Sequence, residues 1–164
     1  MPFRRVVVGV DFTDTSLAAV RWASVRLAPD AEIVLAHVEP ESESPRFLRG
    51  GLRPVVLVNE RETALHGALC GLADVVGRSR SRVEMLSGRV ADGLAAIAHR
   101  LGADAVCVGR STARQEALFG ESTASQLLTC TALPVIVAPA TRPRVVAESP
   151  RPPRRPGPGG GDAA

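Results

Sequence analysis

The stretch "RVVVGVDFTDTSLAAV", residues 5–20, decides the fold. Its first part, RVVVGV, is a short β-branched run that predicts a buried strand, and the turn-prone residues DFTDTS bound it. A capping residue, one of Asp14, Thr15 and Ser16, can then begin a helix with apolar residues at helical spacing. A strand that leads directly into an amphipathic helix is typical of an α/β protein.

The same alternation continues to residue 139. Further strands are predicted at 32–38, 82–88, 105–109 and 134–139, and further helices at 60–77, 90–101 and 122–132, with Gly102 closing the second of these. The strands are apolar without period-2 alternation, as expected of parallel strands covered on both faces. We therefore predict a single doubly wound α/β domain over residues 1–140, with a five-stranded parallel sheet of order 3-2-1-4-5 and helices on both faces.

The net charge of +3 lies entirely in residues 141–164. Residues 1–140 hold fifteen Arg against fifteen Asp and Glu, so the predicted domain is neutral and nucleic-acid binding by it is not indicated. Residues 141–164 are rich in Pro, Arg and Gly and too poor in apolar residues to bury a core, which predicts a disordered tail. Its partner stays open: a protein domain, an anionic membrane, nucleic acid, or none.

Several chemistries are excluded by composition. The chain contains no Lys, so it has neither a P-loop lysine nor a Schiff-base lysine. Cys70, Cys107 and Cys130 are odd in number and widely spaced, so neither disulfides nor a zinc site is predicted and a reducing cytoplasm is the expected compartment. No apolar run reaches the roughly 20 residues of a membrane span, and none is predicted.

The sequence offers no catalytic constellation. Ser111 follows a predicted strand within "GRSTA", like a nucleophile elbow, but the last His of the chain, His99, precedes it, and the α/β-hydrolase order needs a His after the nucleophile. His37, His66 and His99 lack metal-ligand spacing, and the first strand is followed by one Gly rather than G-x-G-x-x-G. No catalytic residue, metal site or dinucleotide site is therefore predicted.

Two loops remain as a candidate binding site. Asp11 follows the first strand, and the Gly- and Ser-containing stretch "GRSTARQEALFGES", residues 109–122, follows the fourth. In the order 3-2-1-4-5 these loops are neighbours at the switch point where doubly wound sheets bind nucleotides, and Gly and Ser before a helix suit a phosphate. Asp11 keeps a second interpretation, in which it initiates the turn or caps the following helix.

Four segments carry a resemblance: "VVVGVDFTDTSLAAVRWA", "LAHVEP", "GRVADGLAAIAHRLGADAVCVGRS" and "FGESTASQLLTCTALPVIVAP". In this order and spacing the chain resembles the universal stress protein family over residues 4–140. The resemblance implies the same five-stranded fold, a homodimer through the last strand from Pro134 to Ala138, and a role in the stress response. It also implies that some members bind ATP, and that enzymatic turnover is not the rule, with weak ATP hydrolysis left open.

The resemblance further implies a nucleotide site. Asp11 through its carboxylate and Val38 through its main chain would contact adenine or ribose, and the residues after the fourth strand would face the phosphates, with or without Mg²⁺. Arg110 and Arg114 either add positive charge there or are solvated loop residues. The implied nucleotide-binding residues are Asp11, Val38, Gly109, Thr112, Gly120, Ser122 and Thr123.

The chain departs from the ATP-binding pattern at two positions. Thr112 stands where those members have a second Gly, and Glu121 separates Gly120 from Ser122. A carboxylate about 4 Å from a phosphate oxygen costs on the order of 4 kcal/mol at an effective dielectric constant near 20, so Glu121 would oppose an anion only if it points inward. Two functions stay open: a cytoplasmic regulatory module that binds an adenine nucleotide, and a dimeric interaction protein that binds none.

Overall fold

The computed structural model describes residues 3–40, 55–111 and 120–139. Thr112 and Arg114 of the predicted site and the predicted tail at 141–164 lie outside the described residues.

Five parallel strands form the sheet. Their order is β3-β2-β1-β4-β5, which confirms the predicted order and fold class. Each neighbouring pair is parallel, and the register places Val7 of β1 between Val34 of β2 and Val106 of β4. The strands are β1 (Arg5–Gly9), β2 (Glu32–Glu39), β3 (Ser81–Ser87), β4 (Ala105–Val108) and β5 (Val135–Val137).

Helices connect the strands. The described ones are α1 (Asp14–Trp22), which continues as a π-helical turn (Ala23–Leu27), α2 (Val55–Val76), a 3₁₀ turn (Arg78–Arg80), α3 (Val90–Leu101) and α4 (Thr123–Cys130). The predicted start of α2 at residue 60 is wrong, because the apolar run before it is also helical. Gly102 ends α3 in the left-handed conformation at φ +61°, as predicted.

The core lies in two layers, one on each face of the sheet. On one face α1 and α2 cover Val6, Val8 and Leu35, and on the other α3 and α4 cover Val7 and Val34. Consecutive valines of β1 therefore point to opposite faces, and all of them are fully buried. This two-sided burial is the physical reason for an apolar run without polar alternation.

Asp104 fixes the position where β1 begins, at the amino ends of the strands. Its Oδ2 accepts hydrogen bonds from the main-chain N–H groups of Arg4 (2.6 Å) and Arg5 (2.9 Å). The bond from Arg5 is the largest cause of a lowered pKa for this carboxyl. The Arg5 side chain binds Glu32 of β2 at 2.6 Å and the Leu101 carbonyl, and these bonds join β1 to β2 and to the end of α3.

Candidate functional site

The carboxyl ends of β1 and β4 are neighbours, and Gly109 shows how close the elements at this edge come. A Cβ on Gly109 would lie 2.7 Å from the carbonyl carbon and oxygen of Thr15 and 2.9 Å from the nitrogen of Ser16. Its φ is not in the left-handed region, so space rather than backbone conformation requires glycine here. The segment after β4 therefore packs directly on the first turn of α1.

Asp11 lies in the turn between β1 and α1. Its Oδ1 accepts hydrogen bonds from the Thr13 N–H at 3.0 Å and the Thr13 hydroxyl at 2.6 Å, and its own N–H donates to Ser16 Oγ at 3.3 Å. Burial raises the pKa of Asp11, but the hydrogen bonds from Thr13 and Ser16 outweigh it and leave the pKa below its usual value. The residue is exposed, so the turn holds an ionised carboxylate that is open to solvent.

Thr13 is the cap of α1. Its side chain accepts a hydrogen bond from the Ser16 N–H at 3.3 Å, with Thr13 itself in an extended conformation. The prediction that Asp14, Thr15 or Ser16 caps α1 is therefore wrong, because Asp14 is already the first helical residue. Asp11 does initiate the turn, because its carboxylate accepts a hydrogen bond from the N–H two residues on, while its exposure leaves room for a ligand.

Phe12 adopts a left-handed conformation with φ +61°, the one non-glycine residue to do so among those described. Such a conformation costs on the order of 1–3 kcal/mol and persists only where the surroundings impose it. The Phe12 ring packs on the imidazole of His37, with ring centroids 5.4 Å apart and planes tilted by 48°. Sequence reasoning missed both residues as members of this site.

Val38 presents its main chain to the gap beside Asp11. Ala36 of β2 accepts a hydrogen bond from the Val10 N–H at 2.8 Å, so the main-chain groups of Ala36 face β1. Residues two apart in a strand face the same way, and the N–H and C=O of Val38 therefore face the side where β1 turns out of the sheet. The Val38 side chain is buried against α3, where a Cβ on Gly93 would lie 2.8 Å from both of its methyl carbons.

The start of α4 supplies the other part of the edge. Gly120 has φ +79°, and Ser122 caps the helix by accepting a hydrogen bond from the Ser125 N–H at 3.1 Å. Thr123 is the first helical residue. Glu121 is exposed, and its carbonyl accepts a hydrogen bond from the Gln126 side chain at 3.3 Å. The Ser122 hydroxyl is thus used by the helix itself, and free main-chain N–H groups remain for an anion.

The charge of this edge is mixed. Arg61 binds Glu39 at 3.1 Å and Arg89 lies 3.5 Å from Asp92, so acidic partners already neutralise both guanidinium groups. Arg110 is exposed directly after Gly109. In the part of the chain that the structure describes, an anion here would therefore depend on helix N–H groups more than on positive side chains.

The structure brings most of the predicted site residues to one edge. Asp11 and Gly109 flank the first turn of α1, and Val38 faces the gap left by β1. Gly120 and the cap Ser122 precede α4 and Thr123 begins it, whereas Thr112 lies outside the described residues.

Metal-binding and membrane features are absent from the described part of the chain. In residues 3–40, 55–111 and 120–139 no three His, Cys, Asp or Glu side chains form a group that could hold a metal ion. Within the same ranges no helix is long and apolar enough to span a membrane.

Comparisons with known proteins agree with this architecture. The sequence model described as "Universal stress protein family" matches residues 2–139. No curated protein matches the chain.

The solved structures similar to it include the following three. Universal stress protein UspA from Lactobacillus plantarum is 19% identical, covers 84% of this chain and 98% of its own, and gives a TM-score of 0.63. A universal stress protein in complex with cAMP is 22% identical, with coverages of 84% and 98% and a TM-score of 0.59. A family protein from Arabidopsis thaliana with AMP bound is 15% identical, with coverages of 82% and 90% and a TM-score of 0.55.

Proposed function

We propose that this chain, which belongs to the universal stress protein family, binds ATP or a related adenine nucleotide at the carboxyl edge of its sheet and acts as a regulatory module in the stress response. One observation carries the proposal: the Asp11 carboxylate and the Val38 main chain lie at the point where β1 leaves the sheet, next to the segment after β4. Ligands of doubly wound sheets bind at such a switch point. Two similar structures hold cAMP and AMP, which supports the choice of ligand class.

The base and the ribose fit the groups offered there. Val38 presents one N–H donor and one C=O acceptor to the same side. Adenine has a matching acceptor and donor in N7 and its 6-amino group, whereas guanine has two acceptors on that edge. The ionised Asp11 can accept hydrogen bonds from ribose hydroxyls. We therefore expect adenine nucleotides to bind more tightly than guanine nucleotides.

The phosphates would lie toward the start of α4. The free N–H groups of Ser122 and Thr123 and the helix dipole attract an anion. We propose that Gly109, Thr112 and Gly120 border the phosphates and that Mg²⁺ accompanies them, since the chain has no Lys to balance their charge. The exposure of Glu121 is compatible with this arrangement, because a carboxylate in solvent can turn away from the anion and its remaining repulsion is screened.

Calorimetric titration with ATP and Mg²⁺ tests the proposal. The parent is expected to bind ATP, and Asp11→Ala to lose at least about tenfold in affinity, the equivalent of about 1.4 kcal/mol. Asp14→Ala is the matched control, because Asp14 is an exposed carboxylate in the first turn of α1 and should leave affinity unchanged.

The same titration can also contradict the proposal. A parent that releases no heat with ATP contradicts nucleotide binding and leaves the dimeric interaction protein as the function. Glu121→Gly then locates the cause: binding by that variant alone would assign the loss to the carboxylate, and binding by neither would not.

The assembly and location form a second part of the proposal. β5 is an edge strand with Val137 46% exposed, which supports a homodimer formed through Pro134 to Ala138. We propose a cytoplasmic, non-enzymatic protein. Sedimentation of the parent and of Val137→Arg tests the dimer: a dimer that becomes a monomer in the variant supports the interface, and an unchanged mass contradicts it.

A further inference from the structure

Both main-chain groups of Val10 form hydrogen bonds with β2 at the point where β1 leaves the sheet. Its N–H donates to the Ala36 carbonyl at 2.8 Å, and its carbonyl oxygen lies 2.7 Å from Nδ1 of His37. A carbonyl oxygen can only accept, so Nδ1 of His37 carries the proton. A side chain of β2 thus binds the carbonyl of Val10, the residue between β1 and Asp11.

The hydrogen bond from His37 to the Val10 carbonyl is found where the parallel ladder would have a main-chain hydrogen bond. In a parallel ladder Ala36 binds residues 8 and 10 of β1, and the next step would bring the Val38 N–H onto the carbonyl of Val10. Among the described residues the Val10 carbonyl accepts a hydrogen bond from the His37 ring and none from the Val38 N–H. The ladder therefore ends one step early, and the Val38 N–H is left facing the gap.

Phe12 supports the ring that makes this bond. Its side chain packs on the His37 imidazole with ring centroids 5.4 Å apart, and its backbone is left-handed immediately after Asp11. Aromatic contacts of this kind restrict the orientation of both rings.

We propose that His37 is a positioning and specificity-determining residue: by binding the Val10 carbonyl through Nδ1, it keeps the Val38 main chain available to the adenine base. The inference rests on the proposed function, since it assigns His37 a role in that same site. It predicts that the affinity for adenine nucleotides depends on the N–H at the position of Nδ1 and not on Nε2.

Two amide variants separate these nitrogens. Asn places its side-chain N–H close to the position of Nδ1, whereas Gln places its amide near Nε2 and leaves the Val10 carbonyl without the donor. We expect His37→Asn to bind ATP within about threefold of the parent and His37→Gln to bind about tenfold more weakly, the loss of one hydrogen bond. The ratio of ATP to GTP affinity should fall in His37→Gln and persist in His37→Asn, a change that general destabilisation would not produce.

A second measurement does not depend on nucleotide binding. Amide hydrogen exchange of Val38 without nucleotide should be slower in His37→Gln, because the released Val10 carbonyl can then accept the Val38 N–H, and unchanged in His37→Asn. If the parent binds no ATP but this exchange difference is present, the proposed function fails and the positioning role stands. If the parent binds ATP and His37→Gln matches it in affinity, nucleotide ratio and exchange, the positioning role is overturned.

The positioning role of His37 can still be tested if His37→Gln does not fold. Should His37→Gln be unfolded, His37→Asn decides alone: retained affinity and exchange support the role of the Nδ1 proton, and a tenfold loss in a folded Asn variant overturns it.

Discussion

Gly109→Ala is expected to destabilise the protein through a backbone clash. The added Cβ would lie 2.7 Å from main-chain atoms of Thr15 and 2.9 Å from the Ser16 nitrogen, whereas ordinary contact begins at 3.4 Å. Either β4 or α1 must therefore move by at least about 0.7 Å. Both neighbours are main chain and cannot rotate away, so we expect a loss of about 1–3 kcal/mol in the free energy of unfolding, as for other overpacked sites.

Gly67→Ala is the matched control. Gly67 lies inside α2, and a Cβ there would meet nothing within 4 Å. The same chemical change should therefore raise the free energy of unfolding by up to about 1 kcal/mol, since Ala is the better helix former.

Urea unfolding followed by circular dichroism measures both variants. With a slope near 2 kcal/mol per molar urea, a loss of about 2 kcal/mol lowers the midpoint by about 1 M. The displaced first turn of α1 carries Ser16, which binds Asp11, so ATP affinity should fall together with stability. A Gly109→Ala variant as stable as the parent would refute the packing argument, and a loss of ATP affinity alone would assign Gly109 to the approach of the phosphates.

Three further outcomes are expected. The lowered pKa of Asp104 means that its bonds to the start of β1 stabilise the fold above the unfolded pKa of about 3.9 and are lost as pH falls through the lower folded value, so Asp104→Asn should flatten the dependence of urea midpoints on pH between 5 and about 2. Burial raises the pKa of Cys107 to about 12, so at pH 8 a thiol reagent should modify exposed Cys130 and reach Cys107 only after unfolding, as mass spectrometry of peptides can show. Ser122→Ala removes the cap of α4 and should cost about 1 kcal/mol in thermal or urea unfolding, and an unchanged stability would contradict the capping bond.

The fold can be predicted from the sequence because a strand that is buried on both faces has a direct signature, a continuous apolar run. Val6, Val7 and Val8 are consecutive and all fully buried, which requires that both faces of the sheet be covered. The start of α2 leaves no such mark: "VVLV" at 55–58 is apolar throughout and therefore has no period that would distinguish helix from strand. The π-helical turn at the end of α1 likewise has no signature in composition.

For the candidate site, the sequence predicts which end of the sheet it occupies and proposes Asp11 as a member, but it does not predict the residues that hold Asp11 and Val38 in place. "DFT" can form a turn closed by its Asp, yet which of four neighbouring hydroxyl and carboxyl residues caps α1 depends on where the helix axis meets the sheet. His37 reads in the sequence as one polar residue near the end of an apolar strand. Its bond to Val10 exists only because β1 and β2 are paired in one register, and that pairing joins residues far apart in the chain.

The two halves of the proposed nucleotide site constrain the sequence differently. On the base side Val38 acts through its main chain, so any residue except proline could supply the N–H and C=O. The valine side chain has a separate role, because it packs on Gly93 of α3. On the phosphate side the groups are N–H donors at the start of α4, and a neighbouring side chain such as Glu121 can repel the ligand without disturbing the fold. Loss of nucleotide binding in a chain of this fold should therefore arise more easily by substitutions before α4 than by substitutions at the end of β2. The ratio of ATP affinity to adenosine affinity, measured in the parent and in Glu121→Gly, tests this difference between the two halves. Removing the carboxylate should raise the affinity for ATP and leave the affinity for adenosine unchanged. An equal effect on both affinities would show that Glu121 acts on the whole site.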